Sequence, residues 1–160
     1  MNLQSLVSVD RLRLAVPVRS KKHAIEVAAG CLAEGLDDVS ANRLFDALFA
    51  RERLGCTTLG RGVALPHAAL EDIDASRGCI ITFAEPIVFD DDDPNPVSLI
   101  LALVVPSQSQ GVDNDDLKLA CDFLSRGDHR RALMAASTPE QLFEALAGDS
   151  TPPLQEATAG

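Results

Sequence analysis

Apolar residues recur at helical spacing in five segments of the chain. The first predicted helix follows Ser20, an N-cap residue, and the second begins near Ser40. Three more helices are predicted towards the end of the chain, the first starting around Asp113 and the second after Asp128. The last has the clearest start signal, because Thr138 is an N-cap followed by proline and, three positions on, by glutamine.

Strand-like patterns lie between these helices. Residues 11–18 alternate and then stop at a proline, as a short edge strand would. Residues 63–65 can form a short strand, and residues 79–83 predict another. Residues 97–105 are apolar on both faces, which is typical of a central strand covered by helices. We therefore expect an α/β fold, with a small mixed β-sheet flanked by helices on both sides.

Chain length and hydropathy indicate one domain. The 160 residues suit a single core, and 46% of them are hydrophobic. We predict a domain over residues 1–148 and a disordered polar tail over 149–160. No segment approaches the ~20 apolar residues of a membrane span, and the N-terminus lacks a signal-peptide layout. The expectation is a cytoplasmic protein with no membrane insertion.

Charge and cysteine spacing argue against several binding functions. The formal net charge is −10, so the chain is short of the clustered cations that nucleic acid requires. The four cysteines form no C-x-x-C pair. The acidic run at 90–93 lacks the spaced ligands and the glycine of a calcium loop. We expect no metal ion, no cofactor and no nucleic-acid partner.

The candidate chemistry lies in GRGVALPH, residues 60–67. Pro66 pushes Leu65 into an extended conformation and interrupts the strand, so His67 is expected at a strand end with its ring pointing outward. An imidazole that titrates near neutral pH can act as a nucleophile. The alternative is a histidine that only ends a strand. His23 and His129 each lie in the first turn of a predicted helix, and we expect both to be solvated.

Several neighbours of His67 in the sequence could hold an anion. Gly60 and Gly62 allow backbone amides to approach a charged group closely, and Thr57 and Thr58 offer hydroxyl donors. Three cations are also near, namely Arg51, Arg53 and Arg61. Such a set could bind the oxygens of a phosphoryl group, but the residues alone do not decide between this interpretation and a structural histidine.

The segment RERLGCTTLGRGVALPHAAL, residues 51–70, resembles the active-site segment of type-two enzyme IIA domains of bacterial phosphotransferase systems. Those domains, of the mannitol/fructose and nitrogen-regulatory class, share the approximate pattern R-E-x-x-G-S-T-x-x-G-x-G-x-A-x-P-H. Further similar segments are SKKHAIEVAA, EPIVFDDDDPNPVSLILALVVP and RRALMAASTPEQLFEAL. The resemblance covers about residues 10–147, and Cys56 stands where serine is usual.

This resemblance implies a fold with helices on both sides of a mixed sheet, and a specific activity. His67 would accept a phosphoryl group on Nε2 from the histidine-containing phosphocarrier protein, while Nδ1 makes a hydrogen bond that fixes the tautomer. Arg51 and Thr57 would stabilise the phosphoryl group, without a metal ion. A second histidine of the family, seven residues after the proline that ends the long strand, is missing. A gap-free count from Pro106 places Asp113 there, as a possible second-site position or as a helix N-cap.

Three functions fit these observations. The first is a regulatory phosphoprotein of the nitrogen type, whose target proteins the sequence does not identify. The second is a sugar-transport IIA that passes phosphate to a IIB component, and the third is a binding module without phosphotransfer. We favour the first, because SKKHAIEVAA resembles the nitrogen-regulatory branch and no attached IIB or membrane IIC domain is apparent.

Overall fold

The computed structural model describes residues 3–55, 57–89, 95–107 and 115–147. Within these ranges a six-stranded mixed sheet has the strand order β1-β5-β6-β3-β2, and β4 also pairs with β6. The strands are β1 (Leu12–Val16), β2 (Thr58–Gly60), β3 (Val63–Ala64), β4 (His67–Leu70), β5 (Arg77–Ile87) and β6 (Val97–Pro106). The predicted mixed sheet is confirmed, and β1 is an edge strand as expected.

Six α-helices and one short 3-10 turn, Val9–Arg11, accompany the sheet in the described part of the chain. The helices are α1 (Leu3–Leu6), α2 (Lys21–Leu32), α3 (Ala41–Leu54), α4 (Asp115–Leu124), α5 (Gly127–Ala135) and α6 (Pro139–Ala145). The two predicted N-caps, Ser20 and Thr138, are confirmed, and Ser40 caps α3 in the same way. Each of the three hydroxyls accepts a hydrogen bond, 3.1 Å long, from the backbone N–H three residues on. The sequence did not predict α1, β2 or β4.

Two hydrophobic clusters lie on opposite faces of the sheet, one under α2 and α3 and the other under α1, α4, α5 and α6. Strand β6 serves both, since its successive side chains point to alternate faces. One cluster takes Ile100, Ala102 and Val104, and the other takes Leu99, Leu101, Leu103 and Val105. This two-sided burial confirms the prediction of a central strand with helices on both sides.

Strands β3 and β4 lie along the same edge of β6, and both run parallel to it. Val63 pairs with Leu99 and His67 pairs with Leu103, and between the two strands the Pro66 carbonyl accepts a 2.9 Å hydrogen bond from the Leu103 N–H. The prediction that His67 ends a strand was therefore wrong in detail. Proline has no N–H to donate, so the strand is interrupted at Pro66. Its carbonyl still takes part in the pairing with β6, which resumes with His67 as the first residue of β4.

Some predictions fall outside the described residues. They concern Asp113, the domain boundary at residue 148, the tail over 149–160 and the acidic run at 90–93. None of the described helices has both the length and the apolar character that a membrane span requires.

Candidate functional site

His67 is placed by the interruption between β3 and β4. Its neighbours Leu65 and Ala68 are buried in the sheet, while His67 itself is only partly buried. The Leu65 N–H donates to the Thr57 carbonyl at 2.9 Å, which ties this segment to the start of β2. The imidazole is thus held beside the central strand β6 and remains partly exposed.

The His67 ring is oriented by one hydrogen bond. Nδ1 lies 2.9 Å from the carbonyl oxygen of Leu65. A carbonyl oxygen can only accept, so Nδ1 must carry the ring proton when the imidazole is neutral. In that tautomer Nε2 has a lone pair in the ring plane, and it is the nitrogen left for chemistry.

The surroundings of His67 favour its neutral form. Burial lowers the pKa of His67, and the positive charge of Arg51 lowers it further. The hydrogen bond to Leu65 and the negative charge of Glu52 act in the opposite direction, but the pKa of His67 remains below its ordinary value. At neutral pH the ring is therefore a neutral imidazole, as a nucleophile must be.

The last turn of α3 brings two opposite charges to this site. Arg51 is partly exposed, and its Nη1 donates a 3.1 Å hydrogen bond to the carbonyl of Gly55. Glu52, the next residue, is only 3% exposed. Of the three arginines singled out in the sequence, Arg51 is the one whose charge acts on His67. Arg53 and Arg61 are exposed.

The carboxylate of Glu52 is the centre of a buried polar cluster that the sequence analysis missed. Thr57, 7% exposed, donates to it twice, from Oγ1 to Oε1 at 2.7 Å and from its backbone N–H to Oε2 at 3.1 Å. Lys21 Nζ lies 3.4 Å from the same Oε2. A signal was present in the sequence, because Glu52 continues the four-residue spacing of the buried Leu44 and Leu48 on α3.

The turn between β2 and β3 is a left-handed segment. Gly60, Arg61 and Gly62 have φ values of 81°, 60° and 87°. Two of these positions are glycines, which adopt such angles without steric cost. A Cβ on Gly62 would also come within 3.3 Å of the Ser98 hydroxyl oxygen. The backbone freedom predicted for the two glycines is thus used to form the hairpin.

The other two histidines differ from each other. The Nδ1 of His23 accepts a 3.1 Å hydrogen bond from the Arg19 N–H, and His23 is partly exposed. His129 was expected to be solvated, and this was wrong, since it is only 7% exposed. Its Nδ1 donates to the carbonyl of Phe123 at 2.8 Å and its ring stacks on the Phe123 ring. The last carbonyls of a helix need partners, and His129 supplies one for α4.

We found no cluster of three or more histidine, cysteine, aspartate or glutamate side chains that could hold a metal ion among the residues that the structure describes. The site offers a neutral imidazole with Nε2 available, within the electrostatic influence of Arg51. This arrangement suits nucleophilic attack on an electrophile that carries negative charge.

Comparison with known proteins gives a consistent result. Residues 5–148 match the family described as "Phosphoenolpyruvate-dependent sugar phosphotransferase system, EIIA 2". The nitrogen regulatory protein of Pseudomonas aeruginosa is 32% identical over 144 residues, covering 90% of this chain and 94% of its own. The crystal structure of nitrogen regulatory protein IIA-Ntr from Neisseria meningitidis superposes with a TM-score of 0.81 at 34% identity, covering 90% of this chain and 98% of its own.

A longer protein is also similar. The 2-O-alpha-mannosyl-D-glycerate-specific EIIABC component of Escherichia coli is 32% identical over 149 residues. The match covers 91% of this chain but 22% of that protein.

Proposed function

Because the chain belongs to the EIIA 2 family of the phosphoenolpyruvate-dependent sugar phosphotransferase system, we propose that it is a phosphoryl carrier. Its acceptor is Nε2 of His67, and its donor is the histidine-containing phosphocarrier protein. The observation that carries this proposal is the hydrogen bond from Nδ1 to the Leu65 carbonyl, which commits one ring nitrogen and leaves the other as a nucleophile.

The transfer balances without an external acid or base. The lone pair of Nε2 attacks phosphorus while the N–P bond of the donor phosphohistidine breaks. The donor ring is protonated on its other nitrogen, so it leaves as a neutral imidazole, and the positive charge passes to the phosphorylated His67 ring. The Nδ1 proton of His67 remains in its hydrogen bond throughout. One N–P bond replaces another, so the barrier lies in aligning the two nitrogens and in holding the charged phosphoryl oxygens.

Arg51 is the residue we assign to those oxygens. It sits in the last turn of α3, its charge acts on His67, and its side chain is partly exposed. A guanidinium has five N–H donors, so the single bond to Gly55 leaves donors for a phosphoryl group. Thr57 supports the same site from the buried side, where its contacts go to Glu52.

The test is phosphorylation in a reconstituted system. The protein is incubated with phosphoenolpyruvate, enzyme I and the carrier protein, and its intact mass is measured. We expect the gain of one acid-labile phosphoryl group, and no gain in a folded His67→Ala variant. Normal labelling of that variant would overturn the assignment of His67.

We assign the protein a regulatory role in the cytoplasm, of the nitrogen type. Support comes from the nitrogen regulatory proteins, which match along nearly their whole length and at about one third identity. In this role the phosphorylated and unphosphorylated forms bind target proteins differently. Affinity capture with both forms tests it: targets that bind one form over the other are expected, whereas equal capture by both would contradict it.

The second candidate is a sugar-transport IIA that passes phosphate to a IIB component. The similarity to an EIIABC component favours it. A chase of the phosphorylated protein with purified IIB domains separates the two functions. Rapid loss of label to a IIB cysteine indicates transport, and stable label indicates regulation.

Asp113 lies outside the described residues, and we propose it as the position that the family's second histidine would occupy. An aspartate there would repel a phosphoryl group, so an Asp113→His variant should hold more phosphate at steady state. Equal labelling of the variant and the parent protein would show that Asp113 does not act on the phosphoryl group.

A further inference from the structure

We propose that Glu52 is a positioning residue that holds the His67 ring in its reactive tautomer and orientation through Thr57. This inference rests on the proposed role of His67 as phosphoryl acceptor. Glu52 does not touch the reacting atoms. It acts through the backbone segment that carries the hydrogen bond to His67.

The contacts form one continuous path. Glu52 accepts from the hydroxyl and from the N–H of Thr57, at 2.7 and 3.1 Å. The Thr57 carbonyl accepts from the Leu65 N–H at 2.9 Å. The Leu65 carbonyl then accepts from His67 Nδ1, also at 2.9 Å. Since each contact fixes the next residue, a shift of Thr57 moves the carbonyl that selects the tautomer.

Both hydrogen-bond donors of Thr57 are used in this path. It has one hydroxyl proton and one backbone N–H, and both are donated to Glu52. In this arrangement the hydroxyl has no proton left for a phosphoryl oxygen. We therefore assign the effect of Thr57 on phosphotransfer to its position, and the direct contact with phosphoryl oxygens to Arg51.

Burial makes the path rigid. The Glu52 side chain is about 1% exposed, and Lys21 Nζ on α2 lies 3.4 Å from its Oε2. A buried carboxylate is retained at low cost only when its oxygens are bonded and its charge is balanced. Here two donors from Thr57 and one cation meet that requirement. The cluster therefore joins α2, α3 and the residue that precedes β2.

Charge gives Glu52 a second influence on His67. Its carboxylate raises the pKa of His67, against the burial of the ring and the charge of Arg51, which both lower it. Loss of this carboxylate should make Nε2 a weaker base as well as a less well placed one. The two effects act in the same direction on nucleophilic attack.

Four variants test the inference. Glu52→Gln removes the charge, and Thr57→Val removes the hydroxyl while keeping the shape of the side chain. Thr57→Ser restores the hydroxyl and is the conservative rescue. Asp46→Asn is the matched control, since it also replaces one carboxylate on α3 but at an exposed position.

Two measurements are made on each folded variant. The first is the ¹⁵N spectrum of the unphosphorylated protein, which reports the tautomer of His67. The second is the single-turnover rate of phosphoryl transfer at saturating phosphorylated carrier protein. We expect Glu52→Gln and Thr57→Val to populate the Nε2-protonated tautomer and to react roughly 10- to 100-fold more slowly. Thr57→Ser and Asp46→Asn should stay within about twofold of the parent rate.

The outcomes separate this inference from the proposed function. If Glu52→Gln and Thr57→Val keep both the parent tautomer and the parent rate, the positioning role is overturned. A changed tautomer with an unchanged rate overturns it as well. Failure of the parent protein to take up phosphate would instead overturn the carrier function, whatever the spectra show. Should Glu52→Gln not fold, Thr57→Val decides the matter by the same criteria.

Discussion

Two histidines of this chain share one local contact and differ in everything around it. In both, Nδ1 bonds to a backbone carbonyl: Leu65 O at 2.9 Å for His67 and Phe123 O at 2.8 Å for His129. The ring of His129 is buried against the Phe123 ring, with 3.9 Å between the ring centroids. The ring of His67 is partly exposed and lies within the influence of Arg51 and Glu52.

The two sites differ in the surroundings of the Nε2 atom. His129 Nε2 is buried and has no hydrogen-bond partner in the described structure, so this ring serves packing and the end of α4. His67 has the same fixed tautomer, but its ring is partly exposed and the charge of Arg51 acts on it. A hydrogen bond that fixes a tautomer is therefore not in itself a sign of catalysis. The environment of the second nitrogen carries that information.

The largest effect is expected from His67→Asn. The asparagine side-chain amide can still donate to the Leu65 carbonyl, so the local contact survives while Nε2 is lost. Phosphoryl uptake should be abolished, and the free energy of unfolding should change by no more than about 1 kcal/mol. Intact mass and urea denaturation measure the two quantities. Retained labelling would mean that another residue is the acceptor.

Arg51→Ala should give the next largest effect. A charge-assisted hydrogen bond to a phosphoryl oxygen contributes roughly 1.5–3 kcal/mol, which corresponds to about a 10- to 100-fold lower transfer rate. Arg53→Ala is the matched control, because Arg53 is exposed in the same turn of α3. Single-turnover kinetics compare the two variants. Equal rates in Arg51→Ala and the parent protein would show that another cation binds the phosphoryl oxygens.

The pH dependence of His67 should follow from its lowered pKa. The ordinary histidine pKa is about 6.5, and burial places that of His67 below it. Its ¹H–¹⁵N titration should therefore have a midpoint below the ordinary value of about 6.5. The unfolded chain binds this proton more readily than the folded protein, so His67 costs stability as the pH falls below about 6.5. A midpoint at or above about 6.5 would contradict this prediction.

The architecture was predictable because its determinants are local. Ser20, Ser40 and Thr138 are helix N-caps, and each caps the predicted helix. The two-sided apolar run of β6 indicated helices on both faces of the sheet. Strand β4 was not predicted because it begins directly after a proline. Its pairing depends on Leu103, which is distant in the sequence.

The site was only partly predictable, for a related reason. His67 follows from the strand, the proline and the family resemblance, which all lie in one segment. The charge of the buried Glu52 is balanced by Lys21, which is 31 residues away in the sequence. Between two arginines at a helix end, Glu52 has the pattern of a solvated residue. The position of Glu52 on the buried face of α3, in line with Leu48, was the signal that distinguished it.

His129→Asn makes the same change as His67→Asn at the other histidine and should have no effect on phosphoryl uptake. The new side-chain amide can still donate to the Phe123 carbonyl, but the stacked ring is lost from a position only 7% exposed. The protein should lose about 2 kcal/mol of stability, because the removed ring leaves space against Phe123. Urea denaturation and intact mass, measured as for His67→Asn, give the comparison directly. If His129→Asn is the variant that loses phosphate uptake while still folded, the roles assigned to the two rings must be exchanged.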